Sequence, residues 1–508
     1  MLDTILIALG AFAVLYVLYD WLKYSRMPGI GRTYWPVVGH FPYVMGDMDL
    51  TGLFVDAFTR ADYPAWMFFK VGVLDRPKFF TIDPKNIEHF MKTKFEGYEL
   101  SRGDRGEAVG DFLGDGIFNS DGHKWLLQRK LASREFSANR FKFFMSEVFN
   151  RAAAKLSDVI AKDAAAAPAG KRGVVDMHKW FFVLTLDAFS EIAFGLDLGG
   201  LDGKPQPFIA AFDKCQQQCF ERCVQYSMIW HVMKAVNFGP EGDMTAAIKT
   251  IDDFVYGLMD KLLSGIRDTK SGAQSEQDED DLLRRLLPAA KRDDGSYDRK
   301  LVRDMLLNLI IAGRDTTAAS MSWTLYELTR HPDVLRKVLE ELDAVVGPKA
   351  PVTFDAVADC TYLQAVLSEA QRLHPSVPFQ PKTAVAHDVL PCGVHVKPGD
   401  TVAYVNVIMG VNPKIWGADA AEFKPSRWLA ADGHTYVKAD QFKYPAFNAG
   451  RRLCLGMDMA NLEMKVVLGT LLRRFDFELV PGQDVRPANA LTLQMRNPLN
   501  CYVTEKQR

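Results

Sequence analysis

Charge of either sign in excess is what this chain has least of. Its 61 Lys and Arg face 63 Asp and Glu, a formal net charge of −2 over 508 residues. A balance this close to zero carries no signature of a general nucleic-acid binder. Paired cysteines are lacking too. The seven cysteines are scattered without disulfide-like spacing, which places the chain in a reducing compartment. Cys215, Cys219 and Cys223 fall at i, i+4, i+8. One unbroken helix cannot fold three thiols around a cluster, so they read as a packing stripe. A secretory leader is not indicated, because no basic residues precede the apolar run Ile5 to Tyr19 and no small-x-small cleavage site follows it. The hydrophobic content of 48%, in contrast, is ample for a large core.

The apolar run is shorter than the ~20 residues that comfortably span a bilayer. Lys23, Arg26 and Arg32 follow it, and Tyr16, Tyr19, Trp21 and Tyr24 suit an interface belt. Residues 1–24 are therefore read as a single N-terminal membrane anchor with the rest of the chain on the cytosolic side. Residues 25–40, containing MPGIGRTYWPVVGH, read as a stiff Pro/Gly hinge. Trp66 to Val73 and Lys78 to Ile82 suggest a hairpin of a small sheet. Residues 98–121 are rich in Gly and Asp and carry Phe112, Leu113 and Phe118. Residues 136–267 read mainly as helices, with Phe220, Tyr226 and Trp230 as candidates for the roof of a channel. Residues 268–281 read as a solvated acidic loop.

The chemistry concentrates in PAFNAGRRLCLG, Pro445 to Gly456. Cys454 stands just before a helical pattern in which Leu455, Met459, Leu462 and Val466 recur at three- and four-residue steps. A thiolate at that position feels the positive end of the helix dipole. Gly450 and Gly456 allow a flat ligand to approach the backbone, and Arg451 and Arg452 supply cations for its anionic groups. Upstream, 301–330 is a long helical pattern, roughly 45 Å at 1.5 Å per residue. Within it lies AGRDTT, Ala312 to Thr317. Gly313 and the paired threonines are weak helix formers, and the Thr316 hydroxyl can turn to the Ala312 carbonyl. Trp125 and Arg129 lie four apart and can address one carboxylate together. Glu369 and Arg372 share a helix face at i, i+3. The 377–402 region reads as short strands, with a plain turn at Cys392-Gly393.

These motifs resemble those of the cytochromes P450. Phe447, Gly450, Arg452, Cys454 and Gly456 match the family's haem loop, with Arg451 where most relatives carry proline. Ala312, Gly313, Asp315 and Thr316 match its oxygen-binding motif, Trp125 and Arg129 its Trp-x-x-x-Arg, and Glu369 and Arg372 its Glu-x-x-Arg. FKPSRW supplies the second arginine, Arg427, with Ser426 where glutamate is usual. The resemblance runs from about Pro28 to the C-terminus. It overrides the prior of about three domains that length alone would set, and leaves 41–508 as one catalytic domain.

The resemblance implies a mostly α fold with small β-sheets and a long central helix over haem b. The haem would be non-covalent, with Cys454 as iron ligand and Trp125, Arg129 and Arg452 near its propionates. Ala312 stands where ester-linked relatives carry glutamate. Asp315 and Thr316 would deliver protons, and Glu369, Arg372 and Arg427 would form a structural ion-pair core. Phe112, Leu113, Phe118, Val377 and Phe379 would line the substrate pocket. Lys382 stands where many relatives have arginine. Electrons would come from NADPH through a separate reductase, or cytochrome b5, since no flavin or nucleotide-binding segment is left here. Lys130, Lys443 and Arg451 would dock that partner. The implied location is the endoplasmic reticulum membrane. The implied activity is insertion of one atom of O2 into a lipophilic substrate. The chain looks most like plant-type fatty-acid ω-hydroxylases, while sterol, terpenoid or xenobiotic oxidases share every motif. A hydroperoxide isomerase or dehydratase usually lacks the threonine, and intact proton-delivery residues argue against a haem carrier.

Overall fold

The computed structural model describes residues 2–27, 35–37, 40, 58, 66–70, 76–137, 139–168, 172–204, 207–224, 227–268, 281–488 and 490–506. Most of the predicted hinge, residues 269–280 of the predicted loop and Tyr226 lie outside them, while Asp281, expected in a solvated loop, is buried as a helix N-cap. Helices of eight residues or more are α1 Leu2–Tyr24, α2 Gly103–Leu113, α3 Gly122–Ser137, α4 Asn139–Ala165, α5 Met177–Phe194, α6 Pro207–Val224, α7 Ser227–Ala235, α8 Pro240–Asp268, α9 Arg299–Arg330, α10 Pro332–Val345, α11 Thr361–Leu373 and α12 Met457–Arg474.

The long helix α9 starts where Asp298 accepts a hydrogen bond from the Leu301 N–H, and it stops at His331, before Pro332. It is buried along nearly its whole length, polar residues such as Arg303, Asp304, Asn308 and Asp315 included, so no one-sided apolar stripe marks it. α5 packs along it, with α11 and α12 on other flanks, and α4 joins α5 to α12. α6 and α8 pack on each other, and α6 also meets α2. A contiguous apolar core runs through α4, α5, α9 and α12.

The strands are β1 Trp66–Phe69, β2 Lys78–Thr81, β3 Tyr98–Glu99, β4 Val174–Asp176, β5 Phe379–Ala384, β6 Asp388–Val389, β7 His395–Val396, β8 Thr401–Val405, β9 Phe475–Leu479 and β10 Asn500–Glu505. The largest sheet has the order β1-β2-β8-β5-β3. The predicted hairpin is present, with Trp66 opposite Thr81 and Phe69 opposite Lys78. β2 and β8 run parallel; β5 pairs antiparallel with β8, placing Phe379 opposite Val405. β4-β10-β9 and β6-β7 form smaller sheets. A second apolar core lies under the large sheet and holds Phe90, Tyr98, Tyr404 and Ala449, the last from the cysteine loop. Mostly helical architecture with small sheets is thus what the sequence led us to expect.

The C-terminal end of α1 is tied to the large sheet. Asp20 is buried in an ion pair with Lys70, and the Tyr24 ring lies 5.2 Å from that of Phe68. Side chains of α1 are described from residue 11 onward, and among the described residues no helix is long and apolar enough to cross a membrane.

Candidate active site

The cysteine loop is folded by its own backbone. The Cys454 N–H donates to the Phe447 carbonyl at 2.9 Å, closing a loop that passes through Asn448 and Gly450 with φ of 65° and 60°. A Cβ on Gly450 would sit 2.2 Å from the Met91 carbonyl, so position 450 needs glycine for both conformation and space. Gly456 is the N-cap of α12 and its N–H reaches the Cys454 sulfur. That sulfur opens into a cavity of about 390 Å³. Burial pushes the Cys454 thiol up, against the opposing pull of the Gly456 N–H and Arg129. A cation bound at the sulfur would favour the thiolate.

Three cations gather beside the cavity with little to neutralise them. Arg452 donates to the Ile117 carbonyl at 3.1 Å, the Ser120 carbonyl at 2.8 Å and the Asp121 carboxylate at 2.7 Å. Burial holds Arg452 down to about 10, partly offset by Asp121. Its Nε has no hydrogen-bond partner among the described residues. The guanidinium lies 4.3 Å from the Trp125 ring centre. Arg129 lines the same cavity and is likewise held down by burial. Lys382 is buried, donates to the Tyr98 carbonyl at 3.3 Å and sits 4.1 Å over Phe95. Burial, followed by repulsion from Arg452, lowers it to about 7. Asp121 is the one carboxylate hydrogen-bonded to any of the three among the described residues. Two buried cations and the half-buried Arg129 fit a dianionic group such as the two propionates of haem, and a flat iron ligand also fits the glycine-lined thiol loop. Trp125, Arg129, Arg452 and Cys454, with Phe447 and Gly456, could hold such a group, which supplies dioxygen activation when bound.

α9 forms the facing wall. Ala312, Gly313, Thr316 and Thr317 line the cavity, and the Thr316 hydroxyl donates to the Ala312 carbonyl at 2.6 Å. The Thr316 carbonyl accepts from the Ser376 hydroxyl at 2.8 Å. Gly313 has a packing role the sequence did not reveal: a Cβ there would lie 1.8 Å from the Phe189 ring of α5. Asp315 is fully buried and does not line the cavity; burial pushes its carboxyl up to about 6, with Arg314 pulling it back.

The ion-pair cluster lies away from the cavity. Arg372 grips Glu369 at 2.7 and 2.8 Å, and both side chains are fully buried. Glu369 also accepts from the Trp428 indole at 2.9 Å and the Lys424 N–H at 2.8 Å, with Arg427 at 3.4 Å. Arg427 turns mainly to Asp419, at 3.1 Å, and nearby carbonyls. The carboxylate and guanidinium therefore stitch α11 to the 410–428 segment that precedes the cysteine loop.

Among the expected pocket residues, Leu113, Phe118, Val377 and Phe379 line the cavity. Phe112 does not. Its helix turns it into the core, edge-on to Phe212 at 4.9 Å, and the reason is the i, i+1 offset from Leu113 on α2. The roof assignment is corrected similarly: Phe220 and Trp230 are buried but do not line the cavity, and Trp230 stacks under Arg222 at 4.6 Å. Cys215 and Cys219 sit in the core, while Cys223 reaches the cavity. Sequence reasoning missed Asp121 and Glu463. Glu463 lines the cavity, is 1% exposed, and burial drives its carboxyl well up. A glutamate within the Met459–Val466 apolar stripe was the available signal.

A thiol in a closed glycine loop, a collar of buried cations and a long buried helix opposite are together the site of a haem-thiolate protein. The comparisons agree. The sequence matches the Cytochrome P450 family over residues 28–504. It is 38% identical over 451 residues to Cytochrome P450 704C1 of Pinus taeda, covering 84% of each chain. It is 36% identical over 415 residues to Cytochrome P450 94A2 of Vicia sativa, covering 79% of this chain and 78% of that one. With Cytochrome P450 704B1 of Arabidopsis thaliana the identity is 32% over 463 residues, 84% and 86% of the two chains. The chain belongs to the cytochrome P450 family. It is an oxidoreductase, a monooxygenase whose family uses cysteine-ligated haem b and electrons from a partner reductase.

Proposed function

We propose that this monooxygenase hydroxylates fatty acids at the ω end while attached to the endoplasmic reticulum membrane. The observation that carries the substrate class is the composition of the cavity wall. Val109, Leu113, Phe136, Leu309 and Ile311 make it largely apolar, and Arg105 and a Lys78–Asp104 ion pair at 3.2 Å add charged groups. Apolar walls with a few convergent charges suit a carboxylate-bearing hydrocarbon chain.

In this reading Cys454 is the iron ligand, Phe447, Gly450 and Gly456 shape its loop, and Trp125, Arg129, Arg452 and Lys382 hold the propionates. Thr316 hands protons across the Ala312–Gly313 wall and Asp315 supplies them. Glu369, Arg372 and Arg427 keep the cysteine loop seated. Residues 1–24 form the anchor, 25–40 the hinge and 41–508 the catalytic domain. Lys130, Lys443 and Arg451 would dock an acidic reductase; Arg451 is meanwhile paired with the exposed Glu96 at 2.6 Å.

The test is turnover with NADPH, a eukaryotic P450 reductase and a ladder of saturated and unsaturated fatty acids, with products identified by mass spectrometry. Terminal hydroxylation is expected. A preparation with an intact carbon monoxide spectrum that oxidises sterols but no fatty acid would overturn the substrate class and leave the haem assignment standing.

A further inference from the structure

The chain between α11 and β5 forms part of the cavity wall through Ser376 and Val377. Ser320 of α9 lines the cavity too, and both serines are buried. Their hydroxyl oxygens are 2.7 Å apart, and the Ser376 hydroxyl lies 2.8 Å from the Thr316 carbonyl. A carbonyl only accepts, so the single Ser376 proton goes to Thr316, and Ser320 donates to Ser376. Both protons are spent within the wall. The two serines therefore tie wall segments together rather than offer a donor to whatever fills an apolar cavity.

Other walls meet at the same place. The Ser376 carbonyl accepts from the Leu493 N–H at 2.8 Å, next to Leu491 and Thr492 of the cavity lining. The Val377 carbonyl accepts from the Asn406 side-chain amide at 2.8 Å. That amide also reaches the Pro445 carbonyl at 3.3 Å, at the start of the cysteine loop. Ser376 and Val377 thus form a strut with α9 at one end and the cysteine loop at the other. Thr316 is held from two sides, by its hydroxyl on the Ala312 carbonyl at 2.6 Å and by its carbonyl on Ser376.

We propose that Ser376 is a positioning residue for the oxidation: its hydroxyl, set between Ser320 and the Thr316 carbonyl, fixes how far Val377 stands from α9 and so which carbon of a substrate chain rests between Thr316 and the cysteine loop. A hydrogen bond weakens steeply as its geometry drifts, so it sets this spacing more narrowly than an apolar contact would. A misplacement of about 1 Å is enough to change the outcome of a reaction. The inference rests on the reading of this cavity as the oxidising site and holds for any substrate with an extended chain. The remaining anchors of the segment do not need the hydroxyl. His374 stacks on Trp323 of α9 at 4.3 Å, and Leu493 is bonded to the backbone of position 376. A chain lacking the hydroxyl therefore keeps its fold while the strut loosens.

The test uses the haem-loaded full chain and the variants S376A, S376T and S368A. Ser368 of α11 is the control, because it is buried, bonds the Tyr436 hydroxyl at 2.8 Å and the Gln364 carbonyl at 2.9 Å, and does not line the cavity. Two quantities are measured. One is the product distribution from dodecanoic acid with reductase and NADPH. The other is the affinity for 1-dodecylimidazole, whose ring nitrogen takes the haem iron and whose chain must then follow the wall. S376A should change the ratio of terminal to in-chain hydroxylation roughly fivefold and weaken dodecylimidazole to the same degree, while plain imidazole binds as in wild type. S376T should restore the wild-type values, and S368A should keep them even where its urea midpoint falls as far as that of S376A. A wild-type product ratio together with wild-type dodecylimidazole affinity in S376A would overturn the proposal. So would an S368A shift equal to that of S376A, which would trace the effect to lost stability. If wild type leaves dodecanoic acid unoxidised, the fatty-acid reading fails, and the dodecylimidazole titration alone decides for or against Ser376.

Discussion

At the scale of single residues the site is built from groups held in unfavourable states. Cys454 has its thiol raised by burial, yet sits with a Gly456 N–H and Arg129 beside it; as proposed iron ligand it would be held as the thiolate by the metal's charge. Replacing Cys454 with alanine should therefore abolish the thiolate-type carbon monoxide spectrum of the reduced protein, and a surviving spectrum would sink the ligand assignment. Thr316→Ala should keep NADPH oxidation but divert it several-fold toward peroxide; unchanged coupling would show that the hydroxyl bonded to Ala312 is not a proton gate.

Asp315 gives a stability test with a definite sign. Burial raises its carboxyl from 3.8 to about 6. Between those values the folded chain holds a proton that the unfolded chain has released, so stability falls as pH rises through that window and the loss is complete above it. About two pKa units correspond to roughly 3 kcal/mol. Asp315→Asn removes that penalty. Its urea midpoint should exceed that of wild type at pH 7.5 and the two should converge near pH 4, while coupling is lost. An Asn variant less stable than wild type at pH 7.5 would mean that the Arg314 contact outweighs desolvation.

At the scale of elements, α5 and α9 are mutually notched. Phe189 fills the space left by Gly313, where a Cβ would approach to 1.8 Å. Gly313→Ala should destabilise by about 1–3 kcal/mol through overpacking, and Phe189→Leu in the same chain should restore part of it; additive losses in a double-mutant cycle would refute the contact. Glu369→Ala strands the fully buried Arg372 and should cost about 3–5 kcal/mol, read as loss of the folded, haem-loaded fraction in urea.

These same elements show what could be read from residues alone. α9 was legible because its cap, its Pro332 stop and its length are local, and the observed Arg299–Arg330 differs from the expected 301–330 by two residues. The cysteine loop was legible because its glycines sit at fixed offsets from Cys454. The seat of Phe189 in Gly313 and the clasp of Arg452 by Asp121 were not, because each partner arrives from a distant part of the chain. Phe112 misled for a third reason: neighbouring positions on a helix face different ways, and only packing against Phe212 decides which of Phe112 and Leu113 enters the cavity.

At the scale of the whole molecule, the proposed membrane attachment has two candidate surfaces. α1 has 23 residues, and no helix among the described residues is long and apolar enough to cross a membrane. Phe12, Val14, Leu15 and Leu18 are exposed on it, while its last turns are held to the sheet by Asp20 and Tyr24. The second surface is α7 and the residues after it, where Met228, Val232, Val236 and Phe238 are each more than half exposed. Deleting residues 2–19 separates them, since it removes the apolar turns and leaves Asp20 to pair with Lys70. The shortened chain should keep its carbon monoxide spectrum and thermal midpoint, yet fail to sediment with phosphatidylcholine–phosphatidylethanolamine vesicles that pellet the full chain. Deleting 2–24 should add a loss of stability, because buried Lys70 then loses Asp20 and Phe68 loses Tyr24. Continued pelleting of the 2–19 deletion, abolished only when Val232 and Phe238 are changed to serine, would move the attachment from α1 to α7.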